Sequence, residues 1–387
     1  MSTRNLVIGV VVILVIIVAA FGAYALSKNG ASGSSTSSST SSPSSTSSVD
    51  DPYLMSGTSQ VTVQSGGSSF VNPIMQVWYL QYSDLTQNRF QLSYVAIGSG
   101  AGITNILDNA FEFAGSDAPV PASELNDTGG NTLLQIPEAL GGVAIFYNVP
   151  GIDNASLDLT GPILAGIWNE SITMWNAPQI QALNPKVPLP DQAIVPCHRS
   201  DGSGTTYAFT TYLNKIDPAW NASVGVGTVV NWPTNELAAA GSGGIALLVS
   251  QTPYSIGYVD TYYASNNKIP IGAIQNAAGN FELPTTATIS SAANDYTTQL
   301  QSNPTFSITD APGTNSYPIS TFTYVLIWEQ QTDQVQGNAA VTFLWYVVHW
   351  GQNYSATLGY APLPSNIVTI DEGLIKEIAY NGQAFIS

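Results

Sequence analysis

Residues 61–82 read VTVQSGGSSFVNPIMQVWYLQY, and three patterns follow one another within them. Val61 to Ser65 has the alternation of a β-strand. Gly66-Gly67-Ser68-Ser69-Phe70 then supplies the small residues of a turn. Pro73 stands near the start of a helix, on which Ile74, Val77, Trp78 and Tyr82 share one face.

The same order recurs twice. LSYVAI (92–97) leads into Gly98-Ser99-Gly100-Ala101-Gly102 and a helix with Ile103, Ile106, Leu107 and Ala110 on one face. AIVPC (193–197) leads into Arg199-Ser200-Asp201-Gly202-Ser203-Gly204-Thr205 and a helix with Phe209, Tyr212, Leu213 and Ile216 aligned. VAIFY (143–147), GIALLVS (244–250), SIGYVDTYY (255–263) and TFTYVLIWE (321–329) also read as strands. NAAVTFLWYVVHW (338–350) is apolar nearly all round, which predicts a buried helix too short to span a membrane. Strands alternating with helices predict an α/β fold, its sheet mostly parallel and covered on both faces.

Each turn lies between the carboxyl end of a strand and the N-terminus of a helix. There the first backbone N–H groups lack intrahelical partners and the helix dipole is positive. Glycine admits a ligand close to the backbone, and serine or threonine adds a hydroxyl, so each turn is a potential anion site. An ordinary capped strand-to-helix turn explains any one of them equally well. Three in one chain, one carrying Arg199, favour a ligand. No turn is a Walker A loop, and none completes the dinucleotide fingerprint. Arg199 beside Asp201 reads as an ion pair that aims the guanidinium fork at the ligand; a surface salt bridge is the bland alternative. Asp117, in AGSDAP (114–119), is either a cap for the following turn or an acceptor for a protonated oxyanion.

Further out, residues 6–26 are uncharged and long enough to cross a bilayer. Ala23-Tyr24-Ala25 leaves a cleaved signal peptide open beside an uncleaved anchor. Residues 31–48, almost all Ser and Thr, read as a flexible tether. The expected organisation is therefore a membrane helix at 1–28, a linker at 29–57 and a folded domain at 58–387. Sequons at Asn126, Asn154, Asn169, Asn221 and Asn353 suit a glycosylated extracellular domain. Cys197 is the one cysteine, so no disulfide framework exists. The formal net charge is −17, with charged residues only 9% of the chain, which excludes a nucleic-acid partner. Beyond the linker the cations are Arg89, Arg199 and four lysines, so an anion site there depends mainly on neutral donors.

Across essentially all of 61–387 the chain resembles the phosphate-binding receptor (PstS) family of the high-affinity phosphate ABC importer. The resemblance rests on GSSF-x-x-P (67–73), IGSGAG (97–102), FAGSDAPV (113–120), GGVAIFYNVPG (141–151) and IWNESITMWNAPQIQALNP (167–185). It continues through RSDGSGTTYAFTTYL (199–213), SIGYV (255–259) and YPISTFTYVLI (317–327). It implies a two-lobe, type II periplasmic-binding-protein-like fold, with one lobe from about 58–148 plus 319–387 and the other from about 149–318. It further implies that Ser69, the Phe70 backbone N–H, Ser99 and Asp117 bind phosphate from one lobe. From the other, Arg199, Ser203, Gly204 and Thr205 bind it, with Asp201 orienting Arg199. The implied partners are inorganic phosphate and a membrane permease; no cofactor and no metal are implied. Ser69 stands where the family often has Thr, which keeps the hydroxyl. No lipid-anchoring cysteine follows the apolar segment, so the helix must serve as the anchor if it stays.

Two other functions compete. A phosphate-ester hydrolase needs a base beside its nucleophile or a metal cluster. Only His198 and His349 exist; His198 and Cys197 point to opposite faces of a strand, and His349 lies in an apolar helix without an evident partner. The chain therefore reads as a non-enzyme. A structural or adhesive surface protein that keeps the receptor fold fits the tether and the sequons, but has no need for Arg199, Asp117 and three matching turns.

Overall fold

The computed structural model describes residues 54–55, 59–125, 130–152, 156–233 and 236–387. The expected membrane helix and linker, and the sequons at Asn126 and Asn154, lie outside these residues. Among the described residues no helix is long and apolar enough to cross a membrane.

Eight strands and six helices frame the site. They are β1 (Val61–Gly67), α1 (Asn72–Leu85), β2 (Phe90–Ala96), α2 (Ser99–Leu107), β3 (Phe113–Ser116) and β4 (Leu133–Asn148). After these come β5 (Val195–Arg199), α3 (Gly204–Ile216), β6 (Leu237–Ala239), α4 (Gly241–Gln251) and β7 (Ser255–Asp260). The chain closes with β8 (Ser320–Trp328), α5 (Gln334–Val348) and α6 (Ser365–Glu377). The strands hydrogen-bond in the order β2-β1-β3-β8-β4-β7-β5-β6.

β4 joins the two halves of this array. Its residues 133–142 pair antiparallel with β8, and its residues 143–148 pair antiparallel with β7. Fourteen of its sixteen residues are buried, so it reads as a continuous apolar run and not an alternating one. Two half-sheets, β2-β1-β3-β8 and β7-β5-β6, thus form two α/β lobes that share β4.

The predicted mostly parallel sheet is corrected to a mixed one. β1 pairs parallel with β2 and β3, and β5 with β6 and β7, but β8 runs antiparallel to both β3 and β4. The chain passes between the lobes on β4 and comes back on β8. A return strand laid beside the outgoing one must run the other way. The predicted strand at 244–250 is also corrected: it is α4. Ile245, Ala246 and Val249 are buried while Leu247 is exposed, which is helical spacing. β7 ends sooner than read, because Asp260 caps a helix at 261–266 by accepting from Tyr263 N–H.

Each half has its own aromatic core. Phe90 stacks on Phe343 at 4.8 Å with Tyr82 against both, and in the other half Phe209 stacks on Tyr258 at 4.7 Å beside Trp168. α5 is buried from Ala339 to Val348 and begins at Asp333, whose carboxylate accepts from Val335 and Gln336 N–H. At its end His349 does have a partner, contrary to the expectation. Its Nε2 lies 3.0 Å from Glu372 of α6 and its Nδ1 meets the Trp345 carbonyl.

Candidate functional site

The three turns open α1, α2 and α3, as their sequences require. All lie at the carboxyl ends of β1, β2 and β5, where open α/β sheets hold ligands. Ser69, Phe70, Ser99, Asp117, Arg199, Ser203, Gly204 and Thr205 are all buried; Asp201 is half-buried.

Asp117 follows β3 and is not the cap of the short helix at 122–125, which begins five residues later. Ser68 Oγ donates to its Oδ1 at 2.5 Å, and Ser99 Oγ lies 3.5 Å from its Oδ2. Ser99 Oγ in turn accepts from Asp117 N–H at 3.1 Å. Burial pushes the carboxyl up to about 7, opposed by the Ser68 hydrogen bond, the charge of Arg199 and the Ser99 hydrogen bond.

Arg199 ends β5. Its Nε and Nη2 donate to Asp201 Oδ1 at 2.7 Å and Oδ2 at 2.5 Å. This is the paired fork expected from R-x-D. A guanidinium carries five N–H groups, and Asp201 takes two, which orients the others. Burial raises the Asp201 carboxyl, but the hydrogen bonds and charge of Arg199 outweigh it and hold the group below the usual carboxylate range. Arg199 N–H donates to the Tyr258 hydroxyl, which also meets Thr206 Oγ1 at 2.7 Å. Ser203 caps α3 by accepting from Thr206 N–H. Thr205 Oγ1 is buried and finds no hydrogen-bond partner among the described residues.

The two lobes meet directly at the turns. Gly100 N–H donates to the Gly202 carbonyl at 2.9 Å. A Cβ on Gly98 would lie 2.3 Å from Asp201 Oδ2, and one on Gly204 would lie 2.6 Å from Asp117 Cβ and Ser99 Oγ. Both positions need glycine for close approach. Ser99, Asp117, Asp201 and Gly204 are thus brought together where the turns meet, with Arg199 paired to Asp201. One contact differs in detail: Phe70 N–H bonds Ser68 Oγ at 3.0 Å.

Several members were not foreseen. Ser68 is the closest partner of Asp117, and Tyr258 backs Arg199. Ser242, at the start of α4, donates its N–H to Ser69 Oγ at 2.9 Å, with the two hydroxyls 3.1 Å apart. Gly241 N–H donates to Asp201 Oδ1 at 3.0 Å. Gly241-Ser242-Gly243-Gly244 is a fourth glycine–serine segment, the first turn of α4, and the same kind of signal that marked the other three. Beside it lies Asp260, raised to about 7 by burial against the opposing Tyr263 N–H and Ser242 hydrogen bonds. No group of three or more potential metal ligands occurs among the described residues.

Two α/β lobes sharing β4, with a buried junction at their strand ends, have the architecture of a two-lobe binding-protein fold. A family model described as a PBP superfamily domain matches residues 35–349. The phosphate-binding protein PstS of Xylella fastidiosa (strain Temecula1) is 38% identical over 311 residues, 80% of this chain and 84% of that protein. The PstS of Methanocaldococcus jannaschii is 33% identical over 340 residues, 83% of this chain and 87% of that protein. This chain belongs to the PstS family of phosphate-binding proteins. Its fold also matches the crystal structure of a phosphate-binding protein from Stenotrophomonas maltophilia. That match has a TM-score of 0.61 at 20% identity and covers 81% of this chain and 93% of that one.

Proposed function

We propose that this chain is an extracytoplasmic receptor that takes inorganic phosphate between its lobes and delivers it to the permease of an ABC importer. The carrying observation is the close approach of the α3 N-terminus at Gly204 to Asp117 and Ser99, with Arg199 held by Asp201 on the same turn and the Thr205 hydroxyl buried without a partner. Such a junction offers a desolvated oxyanion many N–H and O–H donors and a single full positive charge. Ser69, Phe70, Ser99 and Asp117 bind from one lobe; Arg199, Ser203, Gly204 and Thr205 bind from the other, with Asp201 fixing Arg199. The Phe70 N–H serves the ligand by sharing its proton between Ser68 Oγ and a phosphate oxygen. Asp117 accepts from the phosphate hydroxyl and repels fully ionised sulfate. The names of the PstS relatives, phosphate-binding proteins, support a receptor over a hydrolase.

One lobe comprises about 58–148 plus 319–387 and the other about 149–318, with β4 and β8 as the crossovers. The apolar run at 6–26 anchors the receptor to the outer face of the membrane, and the Ser/Thr segment gives it reach. Glycans on the exposed Asn221 and Asn353 are compatible with that placement. Mass spectrometry of the mature protein tests the anchor, since an N-terminus near Leu26 would mean a freely secreted form. Titration calorimetry with phosphate, sulfate and arsenate tests the receptor. Saturable heat with phosphate and none with sulfate is expected, and equal binding of both anions would overturn the selectivity.

A further inference from the structure

The start of α4 is the one turn at the junction that holds both lobes and yet carries no ligand role. It makes two attachments. Gly241 N–H donates to Asp201 Oδ1 at 3.0 Å, within the same lobe, and Asp201 orients Arg199. Ser242 reaches across the cleft to Ser69, a residue 173 positions away. Its N–H donates to Ser69 Oγ at 2.9 Å and its own Oγ stands 3.1 Å from the same atom. Ser69 and Ser242 are both buried, so neither bond is shared with solvent.

We propose that Ser242 is a positioning residue: it latches the closed cleft through Ser69 and sets the direction of the Ser69 hydroxyl. A hydroxyl has one proton and two lone pairs. With a lone pair held by Ser242 N–H and the Ser242 hydroxyl 3.1 Å away, the directions open to the Ser69 proton are restricted. The latch forms only when the lobes are together, because its two members belong to different lobes. The same α4 turn secures Asp201, so closure and the aim of Arg199 are set by one rigid helix end. This role rests on the phosphate-receptor reading for the ligand's identity, but the latch itself does not.

The test is made on the full-length chain with Ser242→Ala and Ser242→Thr, each alone and combined with Ser69→Ala. Stopped-flow mixing with inorganic phosphate separates encounter from release. Ser242→Ala keeps the N–H bond to Ser69 and removes only the hydroxyl contact; because that contact is made only after closure, its loss should speed dissociation about 2- to 10-fold, the range for one net hydrogen bond. Association should stay within about twofold, because encounter precedes the contact. Ser242→Thr, which restores a hydroxyl, should recover most of the difference. The Ser69→Ala effect should shrink in the Ser242→Ala background.

A second readout needs no ligand. Labels on cysteines placed at the exposed Val95 and Val229, one on each lobe, report the separation of the lobes. Ser242→Ala should shift ligand-free protein towards larger separations, whereas a merely structural serine would leave them unchanged. Unaltered release together with additive mutant effects would overturn the latch. If the parent chain binds no phosphate, the receptor reading fails, and the label distances alone decide the latch: an unchanged distribution refutes it.

Discussion

Ser68 gives its hydroxyl proton to Asp117 at 2.5 Å while accepting the backbone N–H of Phe70 and of Val71. The positive end of α1 is thereby passed through one hydroxyl to a buried carboxylate. This arrangement keeps an acid at the centre of an anion site, and it determines how the site responds to pH. Burial in the closed junction has raised Asp117 to about 7, so there the group changes state near neutrality.

Above pH 8 Asp117 is an acceptor only and must take a proton from the ligand. Asp117→Asn should there weaken phosphate modestly and improve sulfate, because an amide can donate. In the parent chain, sulfate binding should improve as pH falls below about 7 and Asp117 gains a proton of its own. Calorimetric titrations of both anions at two pH values check this. Firm rejection of sulfate by the variant would assign selectivity elsewhere.

Replacing Arg199 by Ala should weaken phosphate by roughly 2–5 kcal/mol, the range for truncating one partner of a buried charge pair. Lys should recover only part of this, since it keeps the charge but loses the fork. The Asp201 carboxyl should also titrate higher in Arg199→Ala, because the hydrogen bonds and charge that hold it down are gone. NMR titration of that carboxyl, alongside phosphate affinity, separates the two effects.

Gly204→Ala tests closure itself. The new methyl would sit 2.6 Å from Asp117 Cβ and Ser99 Oγ, both on the opposite lobe. Binding should lose about 1–3 kcal/mol, the usual cost of overpacking. The ligand-free protein can relieve the clash by parting its lobes, so its melting temperature should change little. A large fall in melting temperature with normal affinity would be the opposite outcome.

Acid should favour the folded state. Burial raises Glu138 to about 8, against the Thr323 hydrogen bond, and raises Asp260 to about 7. Each group binds its proton more tightly folded than unfolded. Their stabilising effect is full below the unfolded carboxylate range near pH 4, and is lost as pH rises towards 7–8. Thermal melts should therefore drop between pH 5 and 8, and Glu138→Gln should flatten part of that slope. A melting temperature rising over this window would contradict the assignment.

The three turns were legible because strand, glycine–serine turn and helix follow one another within about twenty residues, each with its own local chemistry. Asp117 and Arg199 stood out because charged residues are so scarce here. What stayed hidden was long-range. Ser242 meets Ser69 across 173 residues, and His349 meets Glu372 across 23. The fourth turn was masked by a short apolar run, Ile245 to Val249, that periodicity alone leaves open between strand and helix. β4 and β8 are buried on both faces, so their pattern carries no direction, and the antiparallel return could not be read.

A crystal structure of the chain with inorganic phosphate tests the central claim most directly. One phosphate should lie between the lobes, its oxygens about 2.6–3.2 Å from the Arg199 guanidinium and the Ser99 and Thr205 hydroxyls, with one oxygen on Asp117. A phosphate bound elsewhere, or a junction still closed on itself at saturating phosphate, would contradict the account.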